Sequence, residues 1–526
     1  MSETSTSQNS DQKSPEFGFL EPIKWPELVF ALVGPIGTDM SLVSAVLSAT
    51  LNHVGYQTKE IKVTDLLSEF EDDFGLVESP LEKRYEAYIS AGNLIREKTK
   101  RNDVFALLSI AAIRNQREFL TGSRDEPSPK TAYILNQFKR PEEISTLRSI
   151  YGDGLIQVSA FCSKEIRLQS LTKRIAASHY RKLPDTAYSG KAHDLIFKDD
   201  AEEENKYGQR VRDTFPLADV IIKADSKIHI EKTCERFIRA FFGDNFVTPS
   251  FDEYGSFLAK SVSLRSSDLS RQVGAAIMSP KGEIISMGCN EVPKATGGTY
   301  WEGDPHDTRD FKIGHDSSVK VKNEILQDTF RRLKETWFNE EKSKKDISEL
   351  VHEALHVGDP PIMKDSNLMD ILEFGRIIHA EMSALCDAAR LGIQTKGATL
   401  YCTTFPCHMC ARHIIAAGIS RVVYVEPYSK SLAAELYEDS IHVEGGPNHH
   451  FPVVNFDPFI GIAPQRYTSI FTKGKRKDNS GRASQWNPKE ATPMIKRLVP
   501  EYLPIEAAVV NSFEDLVQRA GLHLKQ

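Results

Sequence analysis

The sequence has no long hydrophobic run and contains little cysteine. No apolar stretch approaches the roughly 20 residues that a membrane-spanning helix requires, so we expect no membrane span. Residues 1–20 lack the basic region and the apolar core of a secretion signal, and their composition, rich in Ser, Thr and Gln, predicts disorder. Seven cysteines among 526 residues favour a reducing compartment, so we expect a cytoplasmic protein.

Positive charge is not in excess either, because the formal net charge is −7 at neutral pH. Such a chain has no general attraction for a nucleic-acid polyanion, although a local pocket can still hold a small charged ligand. The hydrophobic fraction of 40% and the charged fraction of 26% are ordinary for a globular protein. A chain of this length is expected to form about two to four domains.

The most specific pattern reads H-A-E at residues 379–381 and P-C-H-M-C at residues 406–410. H-x-E followed by P-C-x-x-C is the signature of zinc-dependent nucleobase deaminases. A catalytic zinc takes three protein ligands and leaves a fourth position for water, whose pKa it lowers toward neutrality. We predict that His379, Cys407 and Cys410 are the zinc ligands. We predict that Glu381 is the catalytic residue, which moves a proton from the water to the ring nitrogen and the leaving ammonia.

The cysteine pair has two other interpretations, a redox pair and half of a structural zinc ribbon. A ribbon requires a second C-x-x-C, which the sequence does not contain. A redox pair does not need the H-x-E residues upstream. The other cysteines stand singly in the sequence: Cys162, Cys234, Cys289, Cys386 and Cys402. The pattern therefore favours a deaminase-type zinc site.

The first half of the chain begins with an apolar run at 28–33, a glycine-containing loop at 34–41 and an amphipathic segment at 42–54. This order predicts a buried parallel strand, a turn and a helix, which is the context of a phosphate-binding loop. The candidate nucleotide-binding residues of this loop are Gly34, Gly37 and Ser41.

The match to the phosphate-binding pattern G-x-x-x-x-G-K-[ST] is partial. Asp39 stands in place of the second glycine, and Met40 stands in place of the lysine that would reach the β- and γ-phosphates. The two interpretations are a working kinase and a degenerate kinase fold kept for nucleotide binding, regulation or assembly. The missing lysine favours the degenerate fold.

Strand-like and helix-like segments alternate through residues 21–245, which predicts a doubly wound α/β domain. Segment 131–152 resembles the strand and loop of P-loop nucleoside and nucleotide kinases. The further predicted strands are Gln57–Val63, Val104–Ile110, Gly154–Ser159 and Asp219–Ile222.

Residues 246–470 are predicted to form the zinc-binding domain, with a long polar insertion at 292–372. Glycine and proline between two apolar runs predict a β-hairpin over residues 273–288. Residues 471–526 are predicted to form a basic linker and a C-terminal helix.

Two consecutive helices are predicted to carry the metal site. One spans residues 372–391, with His379 and Glu381 in its first half. The other spans residues 407–417 and begins at the cysteine pair, so its N-terminus would stabilise the thiolates. A strand over residues 398–402 is expected to connect the two helices.

These features together resemble the bacterial anti-phage dCTP/dCMP deaminases, in which a degenerate P-loop kinase-like domain is fused to a zinc-dependent deoxycytidylate deaminase domain. The motifs at 379–381 and 406–410 carry the specific part of the resemblance, and the N-terminal part is weaker. The resemblance implies an α/β fold with an N-terminal P-loop-kinase-like doubly wound domain and a C-terminal cytidine-deaminase-like α/β/α domain. It also implies Zn²⁺ as the cofactor.

The resemblance implies hydrolytic deamination of free deoxycytidine nucleotides, dCTP and/or dCMP, to deoxyuridine nucleotides, which depletes the pool that phage replication needs. It further implies a homo-oligomer that an inhibitory small RNA or another regulator controls, without a membrane partner. Asn290, just after the hairpin, is a candidate for contacting the sugar; its alternative role is that of a turn residue at the strand end. Tyr428 lies where deoxycytidylate-type deaminases carry substrate-contacting residues.

Functions of other classes stay open at this point. A deaminase of tRNA or single-stranded DNA would share the zinc site, but it would need a basic groove with interleaved aromatic residues, which the acidic sequence does not show. A non-catalytic nucleotide-sensing protein would not need Glu381. A bifunctional kinase–deaminase is disfavoured by Met40.

Overall fold

The computed structural model describes residues 23–525 except 201, 203–204, 365, 372, 429, 444–450 and 496–499. The predicted disorder of residues 1–20 therefore lies outside the described residues. None of the described helices has the length and the apolar character needed to cross a lipid bilayer.

The chain divides into two compact units. The first unit comprises the residues up to 249 and those from 460 onward, and the second unit comprises residues 250–459. The first limit lies close to the boundary predicted at residue 245. The second limit differs from the predicted boundary at 470, because residues 460–526 belong to the first unit rather than to a separate tail.

Strands and helices alternate in the segment before residue 250. Its strands are β1 (Leu28–Val33), β2 (Gln57–Lys62), β3 (Thr131–Phe138), β4 (Leu155–Phe161) and β5 (Val220–Lys223). Its helices are α1 (Met40–His53), α2 (Leu81–Thr99), α3 (Val104–Thr121), α4 (Pro141–Tyr151), α5 (Lys164–Ser178), α6 (Ser189–Asp200), α7 (Val211–Thr214) and α8 (Lys227–Phe241).

The second unit also mixes strands and helices. Its strands are β6 (Gly274–Met278), β7 (Ile284–Cys289), β8 (Thr399–Thr404), β9 (Arg421–Glu426), β10 (Ile441–Val443) and β11 (Val454–Pro458). Its helices are α9 (Phe251–Ser263), α10 (Asp310–Ile313), α11 (Ser317–Lys334), α12 (Glu340–Ser343), α13 (Ile347–His356), α14 (Ala380–Leu391), α15 (His408–Ala416) and α16 (Ala433–Leu436). The last segment of the chain, which returns to the first unit, contributes β12 (Gly461–Ile462), α17 (Tyr467–Phe471) and α18 (Tyr502–Arg519).

The sheet of the first unit has the order β12-β5-β4-β1-β3-β2. Strands β1 to β5 run parallel, and β12 is antiparallel to β5. Every residue of β1 is buried. The odd-numbered residues of Leu28–Val33 pack into one hydrophobic cluster and the even-numbered residues into another, so both faces of the sheet are covered. The predicted doubly wound α/β class is confirmed.

One of the predicted strands is wrong. Residues Val104–Ile110 form the first part of α3, which ends before Gly122. All residues of this run are buried, and they pack on one face of the sheet. A short run that is apolar at every position does not distinguish a buried strand from a buried helix. The other strands predicted in this unit correspond to β1, β2, β4 and β5.

The sheet of the second unit has the order β10-β11-β9-β8-β6-β7. The predicted hairpin is confirmed, because β6 pairs antiparallel with β7. Helix α14 lies close against β7: a Cβ atom on Gly288 would collide with the α14 backbone at Ala380 and Ala384. Glycine at this strand position therefore allows the helix to approach the sheet, and the approach places the beginning of α14 beside the end of β7.

Candidate active site

The predicted metal ligand His379 lies immediately before α14, where its backbone is extended (φ −67°, ψ 154°). The prediction of a helix from residue 372 is therefore wrong at its N-terminal end. The side-chain oxygen of Asn290 accepts a hydrogen bond from the Ala380 N–H at 2.9 Å. This contact satisfies one of the free amide groups with which a helix begins. Asn290 thus joins the end of β7 to the start of α14 and holds the position of His379.

The two cysteines lie at the beginning of α15, as predicted. Cys407 occupies the N-cap position, and its sulfur accepts a hydrogen bond from the Cys410 N–H at 3.5 Å. The N-terminus of a helix favours negative charge, so this position stabilises a thiolate. The Cys407 sulfur therefore lies where the helix helps to keep it deprotonated.

The structure brings the three predicted ligands together. His379 Nδ1 lies 3.4 Å from Cys407 Sγ and 3.4 Å from Cys410 Sγ. Tetrahedral zinc with ordinary bond lengths to nitrogen and sulfur separates such ligand atoms by about 3.5 Å. One ligand atom from each residue lies within 4.8 Å of the other two. One imidazole and two sulfurs suit zinc, and a set of three ligands leaves a coordination position open for catalysis.

The two thiols differ in their tendency to ionise. The hydrogen bond from Cys410 lowers the pKa of Cys407 below its usual value against the effect of burial, and His379 acts in the same direction. The same hydrogen bond, together with burial, raises the pKa of Cys410 well above its usual value. Cys407 is therefore readily deprotonated, whereas Cys410 keeps its proton. A metal bound by both sulfurs would displace the proton of Cys410.

Glu381 lies in the first turn of α14 and is only 4% exposed. Burial raises the pKa of its carboxyl group above the usual value. The Cys410 thiol donates a hydrogen bond to Glu381 Oε2 at 3.4 Å. A carboxyl group with a raised pKa beside the metal ligands suits general acid–base catalysis, because it can both accept and return a proton.

A cavity of about 290 Å³ lies over these residues. His379, Glu381 and Cys407 form part of its wall, and so do the predicted substrate-contacting residues Asn290 and Tyr428. The volume is close to the lower limit of small-molecule sites. The residues predicted for catalysis, metal binding and substrate contact in this unit therefore meet at one place.

Both polar atoms of the Asn290 side chain form hydrogen bonds within the protein. Its oxygen binds Ala380, and its nitrogen donates to Asp268 Oδ2 at 3.1 Å and to the Arg271 carbonyl oxygen at 3.4 Å. This arrangement gives Asn290 a clear positioning role, while a contact with a sugar stays a prediction. Tyr428 is half-buried, and burial raises the pKa of its hydroxyl group. Its contact with a substrate also stays a prediction.

Sequence reasoning missed three cations of the cavity wall: Arg271, Lys322 and Arg376. Arg271 precedes β6, and the other two belong to the polar segment between β7 and α14. None of them stands in a recognisable motif, and lysine and arginine are frequent in solvated helices and loops. Only the folding of the segment between β7 and α14 brings two of them to the wall beside His379.

The predicted nucleotide-binding residues lie in the first unit: Gly34 and Gly37 in the turn between β1 and α1, and Ser41 in the first turn of α1. Gly37 has a φ of +91°, a conformation that favours glycine. Gly37 and Ser41 line a second cavity of about 500 Å³. A Cβ atom on Gly34 would collide with the sulfur of Met40, so the residue in place of the P-loop lysine packs against the loop itself.

The chain's own carboxylates accept hydrogen bonds from donors in and beside this loop. The Asp39 side chain accepts from the Leu42 N–H at 3.0 Å. Asp199, on α6, accepts from the Ile36 N–H at 2.6 Å and from Lys139 Nζ at 2.7 Å. A phosphate-binding loop normally offers backbone amides and a lysine to the phosphates. This arrangement favours a degenerate loop, and nucleotide binding there stays a prediction.

Comparison with known proteins identifies the type of the metal site in the second unit. Residues 249–426 match the model of the cytidine and deoxycytidylate deaminase zinc-binding region. The chain therefore contains a deaminase-type zinc-binding region, and the His–Cys–Cys group described above is the part of it that fits zinc.

Similar curated proteins include deoxycytidylate deaminases. The deoxycytidylate deaminase of Enterobacteria phage T2 is 38% identical over 80 residues, which are 15% of this chain and 42% of that protein. ComE operon protein 2 of Bacillus subtilis (strain 168) is 44% identical over 66 residues, which are 12% of this chain and 35% of that protein. The chain thus spans less than half the length of either relative.

Solved structures with similarity to this chain include a deaminase and a kinase. The dCMP deaminase of cyanophage S-TIM5 in its apo form is 16% identical, with 40% of this chain and 98% of that chain covered and a TM-score of 0.21. A gluconokinase of Sinorhizobium meliloti 1021 is 14% identical, with 41% of this chain and 93% of that chain covered and a TM-score of 0.21.

Proposed function

We propose that this protein catalyses the zinc-dependent hydrolytic deamination of free deoxycytidine nucleotides, dCTP and/or dCMP, to deoxyuridine nucleotides. The observation that carries this proposal is the proximity of His379 Nδ1, two cysteine sulfurs and the buried Glu381 carboxyl group, in a cluster of which His379, Glu381 and Cys407 line one cavity. The family match over residues 249–426 supports it. Deoxycytidylate deaminases among the similar proteins support the choice of substrate.

The site's own residues divide the work of the reaction. His379, Cys407 and Cys410 would hold zinc, which supplies Lewis acidity to a water molecule when it is bound. Glu381 takes one proton from the attacking water and delivers it to the ring nitrogen. It then takes the second proton, from the hydroxyl group that the water leaves on C4, and delivers it to the leaving amine. In the net reaction, water adds at C4 of cytosine, the bond from C4 to the exocyclic nitrogen breaks, and ammonia leaves. Glu381 ends in its starting protonation state.

The cellular role in this proposal is antiviral defence, in which deamination depletes the deoxycytidine nucleotide pool that a phage needs. A homo-oligomer and an inhibitory small RNA or other regulator belong to the same proposal, and the resemblance stated above is their support. Cells that express the wild-type protein are expected to resist phage, whereas cells that express Glu381→Ala are expected to be as sensitive as cells without the protein. Equal plaque counts on all three would refute the defence role.

The reaction is tested with purified, zinc-loaded protein and five compounds: dCTP, dCMP, CTP, deoxycytidine and a cytosine-containing single-stranded oligonucleotide. Mass spectrometry detects the mass change when an amino group becomes an oxo group. We expect turnover of dCTP or dCMP. Turnover of the oligonucleotide alone would replace the proposed substrate by a polynucleotide, and absence of turnover with all five would contradict the proposal.

Two variants separate proton transfer from metal binding. Glu381→Ala is expected to keep zinc and to lose at least about 10²-fold in kcat, because general acid–base catalysis contributes that much and Glu381 is not a ligand. Cys407→Ala is expected to lose zinc, measured by metal analysis of the purified protein. Retained turnover in Glu381→Ala would remove the proposed mechanism.

A further inference from the structure

We propose that Lys322, on α11, binds the 5′-phosphate of the substrate and thereby makes the site selective for nucleotides over nucleosides. This inference rests on the proposed function, because it names the residue of the same site that binds the phosphate group of the substrate. It concerns a residue of the long insertion between β7 and α14, which carries none of the metal-site motif.

Most of the positive charge in the cavity wall is already compensated. Arg271 Nη2 lies 3.0 Å from Glu426 Oε2. Arg376 Nη1 lies 3.3 Å from Asp310 Oδ1 and also donates to the Thr308 carbonyl oxygen at 3.0 Å. Each arginine therefore has a carboxylate partner from its own unit.

Lys322 differs from the two arginines in its partner. Its ammonium group donates a hydrogen bond to the Met369 carbonyl oxygen at 2.6 Å. Within the part of the chain that the structure describes, no carboxylate forms a salt bridge with it. A carbonyl oxygen is neutral and occupies one of the three N–H donors of an ammonium group. Lys322 therefore keeps its positive charge and two donors for a ligand in the cavity.

The carboxylates of the wall make such a cation necessary for a phosphate. Asp268 accepts a hydrogen bond from Asn290, and Asp316 caps the first turn of α11 and accepts from the Ser270 hydroxyl group. Both carboxylates line the cavity and would repel a phosphate dianion. An uncompensated ammonium group in the same wall offsets that repulsion.

The orientation of α11 agrees with this role. Ser318, Val319 and Lys322 line the cavity, and residues three and four apart lie on one face of a helix. Lys320, on another face, is exposed and does not line the cavity. The chain therefore offers a matched control, a lysine on the same helix that faces solvent.

The first test compares turnover of dCMP and deoxycytidine by the zinc-loaded full-length protein. A charge-assisted hydrogen bond to phosphate corresponds to about a 10- to 150-fold effect. In Lys322→Ala we expect the ratio of kcat/KM for dCMP to that for deoxycytidine to fall by about 10- to 100-fold, mainly through KM. Lys322→Arg should retain most of the ratio, and Lys320→Ala should not change it. A loss that is equal for both substrates would show a structural role and would overturn the inference.

The second test separates this inference from the proposed reaction. Calorimetry measures the binding of dUMP and deoxyuridine to zinc-loaded wild-type protein, Lys322→Ala and Lys322→Gln. We expect the wild type to bind dUMP more tightly, and both variants to lose most of that preference. If no cytosine compound is deaminated but dUMP binding depends on Lys322, the proposed reaction fails and the phosphate site stands. If the wild type binds both compounds equally, the phosphate site is overturned.

Discussion

Replacing Arg117 by methionine is expected to destabilise the first unit by several kcal/mol, because this guanidinium group lies between two buried carboxylates. Arg117 has no exposed side-chain surface. It pairs with Glu506 of α18 through Nη1 and Nη2 at 2.6 and 3.0 Å, and its Nε lies 3.0 Å from Glu27 Oε1. The network therefore ties the C-terminal helix to α3 and to the residue that precedes β1.

The size of the effect follows from the burial of all three groups. The side chains of Glu27 and Glu506 are 3% and 0% exposed, so both carboxylates depend on Arg117 for compensation. Removing one partner of a buried ion pair costs about 3–5 kcal/mol. Glu506→Gln keeps the shape of the side chain and one hydrogen-bond acceptor. We expect this variant to lower the free energy of unfolding by about 1.5–3 kcal/mol, because charged hydrogen bonds are lost. The double variant should lose less than the sum, because the two residues interact directly.

The assay is urea unfolding followed by tryptophan fluorescence. The sequence contains four tryptophans, and Trp301 and Trp337 of the second unit are 57% and 80% exposed. Replacing both by phenylalanine leaves Trp25 and Trp486 as reporters of the first unit.

The control for this experiment is Arg124→Met, which removes an arginine that is 51% exposed and pairs with Glu118 on the surface. Surface pairs of this kind contribute up to about 1 kcal/mol. If the loss of Arg117 destabilises the unit no more than the loss of Arg124, the reasoning about the buried network is refuted.

Two further predictions concern the first unit. Burial opposes ionisation of Asp103, but hydrogen bonds from Arg101 and Thr146 outweigh it and lower the pKa of Asp103. Its ionised form therefore contributes stability above about pH 4, the usual range of Asp, and this contribution is lost as the pH falls through the folded-state pKa. Asp103→Asn should lower the urea midpoint at pH 7, and the difference from wild type should shrink in acid; a difference independent of pH would contradict this. Asp199→Ala should free the Ile36 amide of the loop after β1 and the Lys139 ammonium group after β3. We expect the affinity for inorganic triphosphate, measured by calorimetry, to increase about tenfold or more in this variant and to stay unchanged in Asp194→Ala, which replaces an exposed residue. Equal affinities in the two variants would exclude Asp199 as the group that occupies the loop.

Local sequence patterns predicted the site correctly in class where its chemistry depends on residues that are close together in the sequence. The two motifs at 379–381 and 406–410 predicted a ligand set whose donor atoms the structure brings together, because a metal site needs specific residue types at short spacings. Alternating apolar segments likewise predicted the doubly wound class. The same reasoning failed at Val104–Ile110, since burial on all sides removes the periodicity that distinguishes a helix from a strand.

The prediction of a helix over residues 372–391 was wrong at its N-terminal end for another reason. The start of α14 depends on a hydrogen bond from Ala380 to Asn290, a residue far away in the sequence, and no local propensity encodes that contact. The return of residues 460–526 to the first unit depends on similar distant contacts, of which the pairing of Arg117 with Glu506 is one.

The sequence by itself determined the deaminase-type class of the zinc site and predicted its donor set, because both depend on residue type and short spacing. Only the tertiary structure decided which charges around the site are compensated. Arg271 and Lys322 look alike in the sequence as solvated cations, yet one meets a carboxylate and the other a carbonyl oxygen. The physical reason is that electrostatic compensation depends on distances of a few ångströms between groups that the chain brings together only when it folds.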